Sequence, residues 1–223
     1  MKKSLLIIGL SFAFLSLFSQ ERNDNCTSVL VSKGASRDGS VMITYACDAE
    51  FVSLMRHLPA MDHDANSFIE IRRRDGEVRK VKQVPHTYKV VGNINEFQVA
   101  IGETTTSGRR ELVDRDGLLG YGKLMELMLQ RAKTAREGIK VIVDLVEEYG
   151  YSSSMEAFSI ADPEEVWFME IIGKGTGNTG AIWVALRVPD GYVSCHANLS
   201  RIGEIPFEDK ENCMYSEDVK SFA

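Results

Sequence analysis

The chain has 223 residues, 44% apolar and 26% charged, with five prolines and no low-complexity tract, which excludes a disordered or collagen-like protein. A formal net charge of −6 argues against a general nucleic-acid binder. The one basic cluster, Arg72-Arg73-Arg74 with Arg79, Lys80 and Lys82, flanks Asp75-Gly76 and reads as the solvated tip of a hairpin.

At the start, Lys2 and Lys3 precede an apolar run from Leu5 to Phe18, the n-region and h-region of a secretory signal over residues 1–19. The run is short for a membrane span, so no stable membrane insertion is expected. Asn23-Asp24-Asn25 lacks the small and apolar residues of a lipoprotein box. Residues 20–25 then read as a short polar propeptide, and residues 26–223 as one domain of roughly 200 residues, enough for a substantial core. Export to the periplasm or the cell exterior is the expected destination.

Processing of this kind makes Cys26 the first residue of the mature chain. A free α-amine has a pKa of about 7.7–8.0, close to working pH, and can take the proton of a thiol whose reference value is about 8.5. One residue then supplies both nucleophile and base, without a histidine partner. The alternatives are that Cys26 is half of a disulfide or a small buried strand residue. Cys26, Cys47, Cys195 and Cys213 allow up to two bridges, or one if Cys26 stays free. No Cys-x-x-Cys or His-Glu-x-x-His occurs, so no metal or other cofactor is implied.

Two β-type runs, Thr27–Ser32 and Ser40–Ala46, are joined by a turn containing Gly34, Asp38 and Gly39. A second hairpin is expected over Phe68–Arg72 and Val78–Val84, and a short strand over Phe97–Gly102. From Leu118 to Tyr149 the apolar residues recur at three- and four-residue steps, which predicts two helices. Thr134 and Glu137 have capping-box spacing, placing the start of the second there and its end near Gly150. Strands resume at Ala157–Ala161, Val166–Ile172 and Ala181–Val188. The glycine-rich loop between the last two leads into a strand rather than a helix, which excludes a phosphate cradle. A last strand at Tyr192–Cys195 leads into Ala197–Glu204. Strands, then helices, then strands predict an α+β fold with antiparallel sheets.

Several ordered blocks together resemble a known family: Cys26-Thr27-Ser28, the run Gly34–Ile43, Arg131–Gly138, Glu148-Tyr149-Gly150, Ala161–Trp167 and Ala197–Ile202. They resemble the dipeptidase A and secernin family of N-terminal nucleophile cysteine hydrolases, over nearly the whole of residues 26–223. The resemblance implies a four-layer αββα sandwich, a Cys26 unmasked by processing, and hydrolysis of dipeptides with broad side-chain tolerance. Members of this type are usually considerably longer, so the domain is expected to be truncated at its C-terminus.

Residue by residue, the resemblance implies that Asp48 orients or charges the Cys26 amine, with a solvated strand-end carboxylate as the alternative. Tyr45 stands where related hydrolases carry an arginine. Asn198 matches an asparagine that donates to the oxyanion of the tetrahedral intermediate, although Asn198-Leu199-Ser200 also reads as a turn. Glu103 sits near where relatives offer a backbone N–H to the same hole, and Arg201 is placed to meet a substrate carboxylate or to pair with Glu204. Two other readings remain open at this point. One is an acyl-amide hydrolase of the bile-salt hydrolase or penicillin V acylase type; the other is an exported, inactive binding or structural domain. The partners implied are a dipeptide or other small amide, with self-association into a homo-oligomer left open.

Overall fold

The computed structural model describes residues 26–47, 55–73, 75–106 and 108–222. The signal and propeptide expected over residues 1–25, and Asp48, lie outside the described residues. In chain order the strands are β1 (Cys26–Val31), β2 (Met42–Ile43), β3 (Ala46–Cys47), β4 (His57–Leu58), β5 (Met61–Asp62), β6 (Phe68–Arg72), β7 (Val78–Lys82) and β8 (His86–Thr87). They continue with β9 (Val90–Val91), β10 (Ile94–Asn95) and β11 (Ala100–Thr106). After helices α1 (Tyr121–Leu129) and α2 (Ala135–Tyr149) come β12 (Met155–Ala161), β13 (Val166–Gly173), β14 (Ala181–Arg187), β15 (Val193–His196) and β16 (Cys213–Tyr215). A last turn of helix, α3, spans Val219–Phe222.

Two antiparallel sheets carry the fold. The larger runs β16-β14-β13-β12-β11-β10-β9-β4, and the smaller places β1 between β15 and β2, with β3 also pairing β1. The hairpin β6-β7 forms a separate two-stranded sheet whose Val81, Ile69 and Ile71 pack on the helical core. Its tip departs from the expected solvated turn at Arg73, which is 11% exposed, pairs with Asp75 and donates to the Arg115 and Asp116 carbonyls. Side chains alternate along each large-sheet strand. Ile101, Phe158, Ile160, Trp167, Met169, Ile171 and Trp183 point to one face and pack on Leu124, Leu127, Met128, Ile139, Ile142 and Val146 of the helices. Residues one step along, Ala157, Ala161, Val166 and Phe168, point to the other face and pack on Leu30 of the small sheet.

The described residues thus form helix, sheet and sheet layers of an α+β fold. The fourth, helical layer of an αββα sandwich is not seen among them: Val193, on the outer face of the small sheet, is 57% exposed and Met42 is 45% exposed. No helix among the described residues is long and apolar enough to cross a membrane.

The helix termini form as their residue types dictate. Thr134 caps α2 by accepting from the Glu137 N–H, while Glu137 reaches back to the Lys133 N–H. Asp162, from the turn between β12 and β13, accepts from the Ala135 N–H, and the Arg136 guanidinium forks onto Glu165 and lies 4.6 Å from the Trp167 ring centre. The sequence blocks around Arg136 and around Asp162 are therefore one helix-to-turn clamp. At the far end of α2, Gly150 adopts φ 77°, and a Cβ there would lie 2.8 Å from the Gly117 backbone, so glycine alone fits.

Candidate active site

Cys26 heads β1, and the strand's alternation buries Cys26, Ser28 and Leu30 between the sheets while Thr27 faces out. On one side β1 pairs with β15, Ser28 opposite His196 and Leu30 opposite Ser194. Continuing that register by two residues sets Asn198 opposite Cys26. There the Cys26 N–H donates to Asn198 Oδ1 at 2.6 Å. The Asn198 Nδ2 donates to the Thr105 carbonyl at 2.6 Å, which fixes the orientation of the carboxamide. Burial first, and then Cys47, push the Cys26 thiol up to about 11, against a smaller lowering by the Asn198 side chain. At neutral pH the thiol stays protonated unless a base lies beside it.

Strand β11 carries the rest of the site. Ile101 exchanges hydrogen bonds with Asn93, away from β12, and the Thr105 carbonyl meets Asn198 on that same side. The odd-numbered residues of β11 therefore aim their backbone groups at one edge, which β10 covers only near Ala100. By the same alternation the Glu103 N–H faces this edge, two residues before the Thr105 carbonyl that Asn198 meets. The expected strand Phe97–Gly102 in fact runs Ala100–Thr106, because Thr104 and Thr106 find partners inside: Thr104 Oγ1 bonds His196 and the Ala197 carbonyl.

The Glu103 side chain is 2% exposed and accepts from the Tyr45 hydroxyl at 2.7 Å. Gly102 makes room for this contact, since a Cβ there would lie 2.9 Å from Tyr45 Cβ. On the neighbouring strand, Glu156 is 1% exposed, and the Oε2 atoms of both glutamates have no hydrogen-bond partner among the described residues. Burial and the Glu103 charge push Glu156 up to about 9, so at neutral pH it is a neutral acid able to donate to Glu103. Glu103 also raises the Cys26 thiol, which places it close to the sulfur. Tyr45, which by the resemblance stands where related hydrolases carry an arginine, thus ties the link between β2 and β3 to this carboxylate.

Two further residues shape the loop that holds Asn198, and reading the sequence missed both. His196 is buried, its ring tilted against Phe168 with centroids 4.6 Å apart, with Nδ1 bonded to Thr104 Oγ1 and Nε2 to Ser159 Oγ at 2.8 Å each. Since the Thr104 hydroxyl donates to the Ala197 carbonyl, it accepts from Nδ1–H, and Nε2 accepts from Ser159. Glu170 collects Ser200 Oγ at 2.8 Å, the Arg201 N–H at 2.5 Å and the Ile202 N–H at 3.3 Å. A carboxylate inside the apolar run Val166–Ile172 was the available signal, because a buried charge needs such partners. Glu170→Ala leaves two backbone N–H groups unpaired, so we expect it to cost about 2–3 kcal/mol. The urea midpoint would read that loss, and Glu170→Gln, which keeps one acceptor, should recover part of it.

Arg201 itself is exposed and forms no ion pair with Glu204 among the described residues; its contact with the loop is through its backbone N–H. The structure therefore brings Cys26, Asn198 and Glu103 together and leaves the Arg201 side chain at the rim.

The buried His196 and Glu156 give opposite pH dependences. Burial, aided by Arg201, pushes His196 down to about 4, below its unfolded value of about 6.5. Its contribution is complete above about pH 6.5 and is lost as pH falls towards 4. Glu156 is raised, so its contribution is complete below about pH 4.5 and is lost as pH rises towards 9. Denaturation midpoints measured against pH should show Glu156→Gln gaining on the wild type as pH rises from 5 to 8. His196→Gln should lose ground on the wild type from pH 4.5 to 6.5.

A family model described as Peptidase family C69 matches residues 50–223. A "Probable dipeptidase" of Latilactobacillus sakei is 30% identical over 217 residues, covering 88% of this chain and 44% of the relative. From Streptococcus pyogenes serotype M1, a "Probable dipeptidase A" is 30% identical over 219 residues, covering 89% of this chain and 44% of the relative. A "Probable dipeptidase B" of the same serotype is 27% identical over 231 residues, covering 95% and 45% respectively. The chain spans a little under half the length of these curated relatives.

Proposed function

The chain belongs to peptidase family C69, and from that membership we propose that it is an exported cysteine dipeptidase of broad specificity, with Cys26 as nucleophile and the Cys26 α-amine as base. The observation that carries this reading is the 2.6 Å contact between the Cys26 nitrogen and Asn198 Oδ1. Removal of residues 1–25 turns that nitrogen into an amine, and the same acceptor then holds it beside its own thiol. A thiol pushed up to about 11 depends on such a base, which supports coupling the two on one residue.

In the mechanism, the amine takes the thiol proton as sulfur attacks the peptide carbonyl, forming the C–S bond. The oxyanion is met by the remaining Asn198 N–H and by the Glu103 N–H at the open edge of β11. Collapse expels the leaving amine, which takes the proton back, and water then hydrolyses the thioester with the Cys26 amine again as base. The buried Glu103 charge favours an ammonium nearby, whether on Cys26 or on the incoming dipeptide. Asp48 completes the proposal as the residue that orients the amine, and Arg201 at the rim as a partner for the substrate carboxylate.

The test is a panel of free dipeptides against N-acyl amides, run on the processed protein. Hydrolysis of dipeptides with varied side chains, and not of acyl amides, supports the reading. Preference for acyl amides would move the protein to the acylase type, and inactivity on both panels would leave a binding or structural domain.

A further inference from the structure

We propose that Cys26 and Cys47 form a reversible disulfide across β1 and β3, which masks the nucleophile under oxidising conditions. All four cysteines are free in the structure. Cys26 and Cys47 are directly opposite each other in the antiparallel register. The Leu30–Ile43 and Cys26–Cys47 pairs keep one register on either side of Thr44-Tyr45, where the Thr44 N–H donates to the Val29 carbonyl. The Val29 N–H donates to Thr44 Oγ1, so Val29 and Thr44 turn their backbone groups towards each other, and with the register kept, alternation makes Cys26–Cys47, three steps on, a non-hydrogen-bonded pair. Such pairs hold their Cα atoms about 4.5 Å apart with side chains close, inside the 4.4–6.8 Å range of disulfides.

The faces agree as well. Cys26 points between the sheets, and a residue directly opposite points the same way. Cys47 acts directly on the Cys26 thiol. Cys195 pairs with Val29 and so lies on the outer face, and Cys213 belongs to β16 at the far edge of the large sheet. Cys47 is partly exposed whereas Cys26 is buried, so an oxidant meets Cys47 first.

With hydrogen peroxide as oxidant, the Cys47 sulfur attacks one peroxide oxygen, the O–O bond breaks, and Cys47 becomes a sulfenic acid with release of water. The Cys26 sulfur then attacks Cys47, the S–OH bond breaks, and the hydroxide leaves as a second water with the Cys26 proton. Two thiols are oxidised and one peroxide is reduced. A dithiol reverses the bond by exchange.

The masking rests on Cys26 being the nucleophile, whereas the bond itself does not, so the test reads them separately. Processed wild type and Cys47→Ser are treated with hydrogen peroxide, digested without reductant, and assayed before and after dithiothreitol. Expected for the wild type are a loss of about 2 Da, a cross-link between the tryptic peptides 26–33 and 38–56, and activity restored by dithiothreitol. In Cys47→Ser, active before treatment, Cys26 should gain oxygen and at least tenfold less activity should return. Absence of the cross-link in the wild type, or equal recovery in the variant, overturns the proposal. A cross-link that leaves hydrolysis unchanged overturns the masking and contradicts Cys26 as nucleophile.

Discussion

Cys26→Ala is expected to abolish dipeptide hydrolysis, lowering kcat by a factor on the order of 10⁴–10⁶, the scale on which removing a nucleophile acts in other hydrolases. Cys26→Ser should fall nearly as far, since a hydroxyl is a poorer match for an amine base than a thiol. The fold should survive both, because the strand is held by its pairing to β15, β2 and β3 and by the fully buried Leu30. Circular dichroism alongside the assay separates loss of chemistry from loss of structure. For the wild type, kcat/KM should rise with pH as the amine loses its proton, because only the neutral amine can accept from sulfur. Full activity in Cys26→Ala would remove the mechanism altogether.

Asn198→Ala should lower kcat by about 10²–10³ with a smaller change in KM, as loss of an oxyanion donor does elsewhere. This residue accepts from the Cys26 nitrogen and donates to the Thr105 carbonyl, and its remaining N–H is the proposed oxyanion donor. Asn198→Asp distinguishes them. It keeps an acceptor for the nitrogen but has no N–H to give, so if donation matters most it should be as slow as the alanine variant. Recovery of most of the rate in Asn198→Asp would make Asn198 a positioning residue for the amine alone.

Local chemistry made much of this fold readable. The spacing of Thr134 and Glu137, the three- and four-residue steps of α1 and α2, and the glycine-rich turn between β13 and β14 all act within a few residues. What escaped was nonlocal. The polar run Glu103-Thr104-Thr105-Thr106 looks like a loop until β12, His196 and Asn198 supply partners more than 40 residues away in sequence. The expected strand Ser40–Ala46 is two short pieces, β2 and β3, and the strand β16 and the turn α3 gave no period to follow.

The site divides in the same way. Cys26 and Asn198 could be singled out by their motifs, but their partnership depends on the register of β1 with β15, which no local pattern specifies. Tyr45 looked like the loss of an arginine, whereas the structure gives it a hydroxyl contact to Glu103 across Gly102. Glu156 and Glu170 sit in strands where charge is costly, and each is resolved only by tertiary partners: a neutralising proton for one, the Ser200–Ile202 loop for the other.

Every step of the proposed chemistry requires that the Cys26 nitrogen be a free amine. Intact-mass analysis and N-terminal sequencing of active protein recovered from an exporting host test this most directly. The expected result is a chain that begins at Cys26. Dipeptide hydrolysis by a chain that still carries residues 20–25 would contradict it, because an amide nitrogen cannot serve as the base.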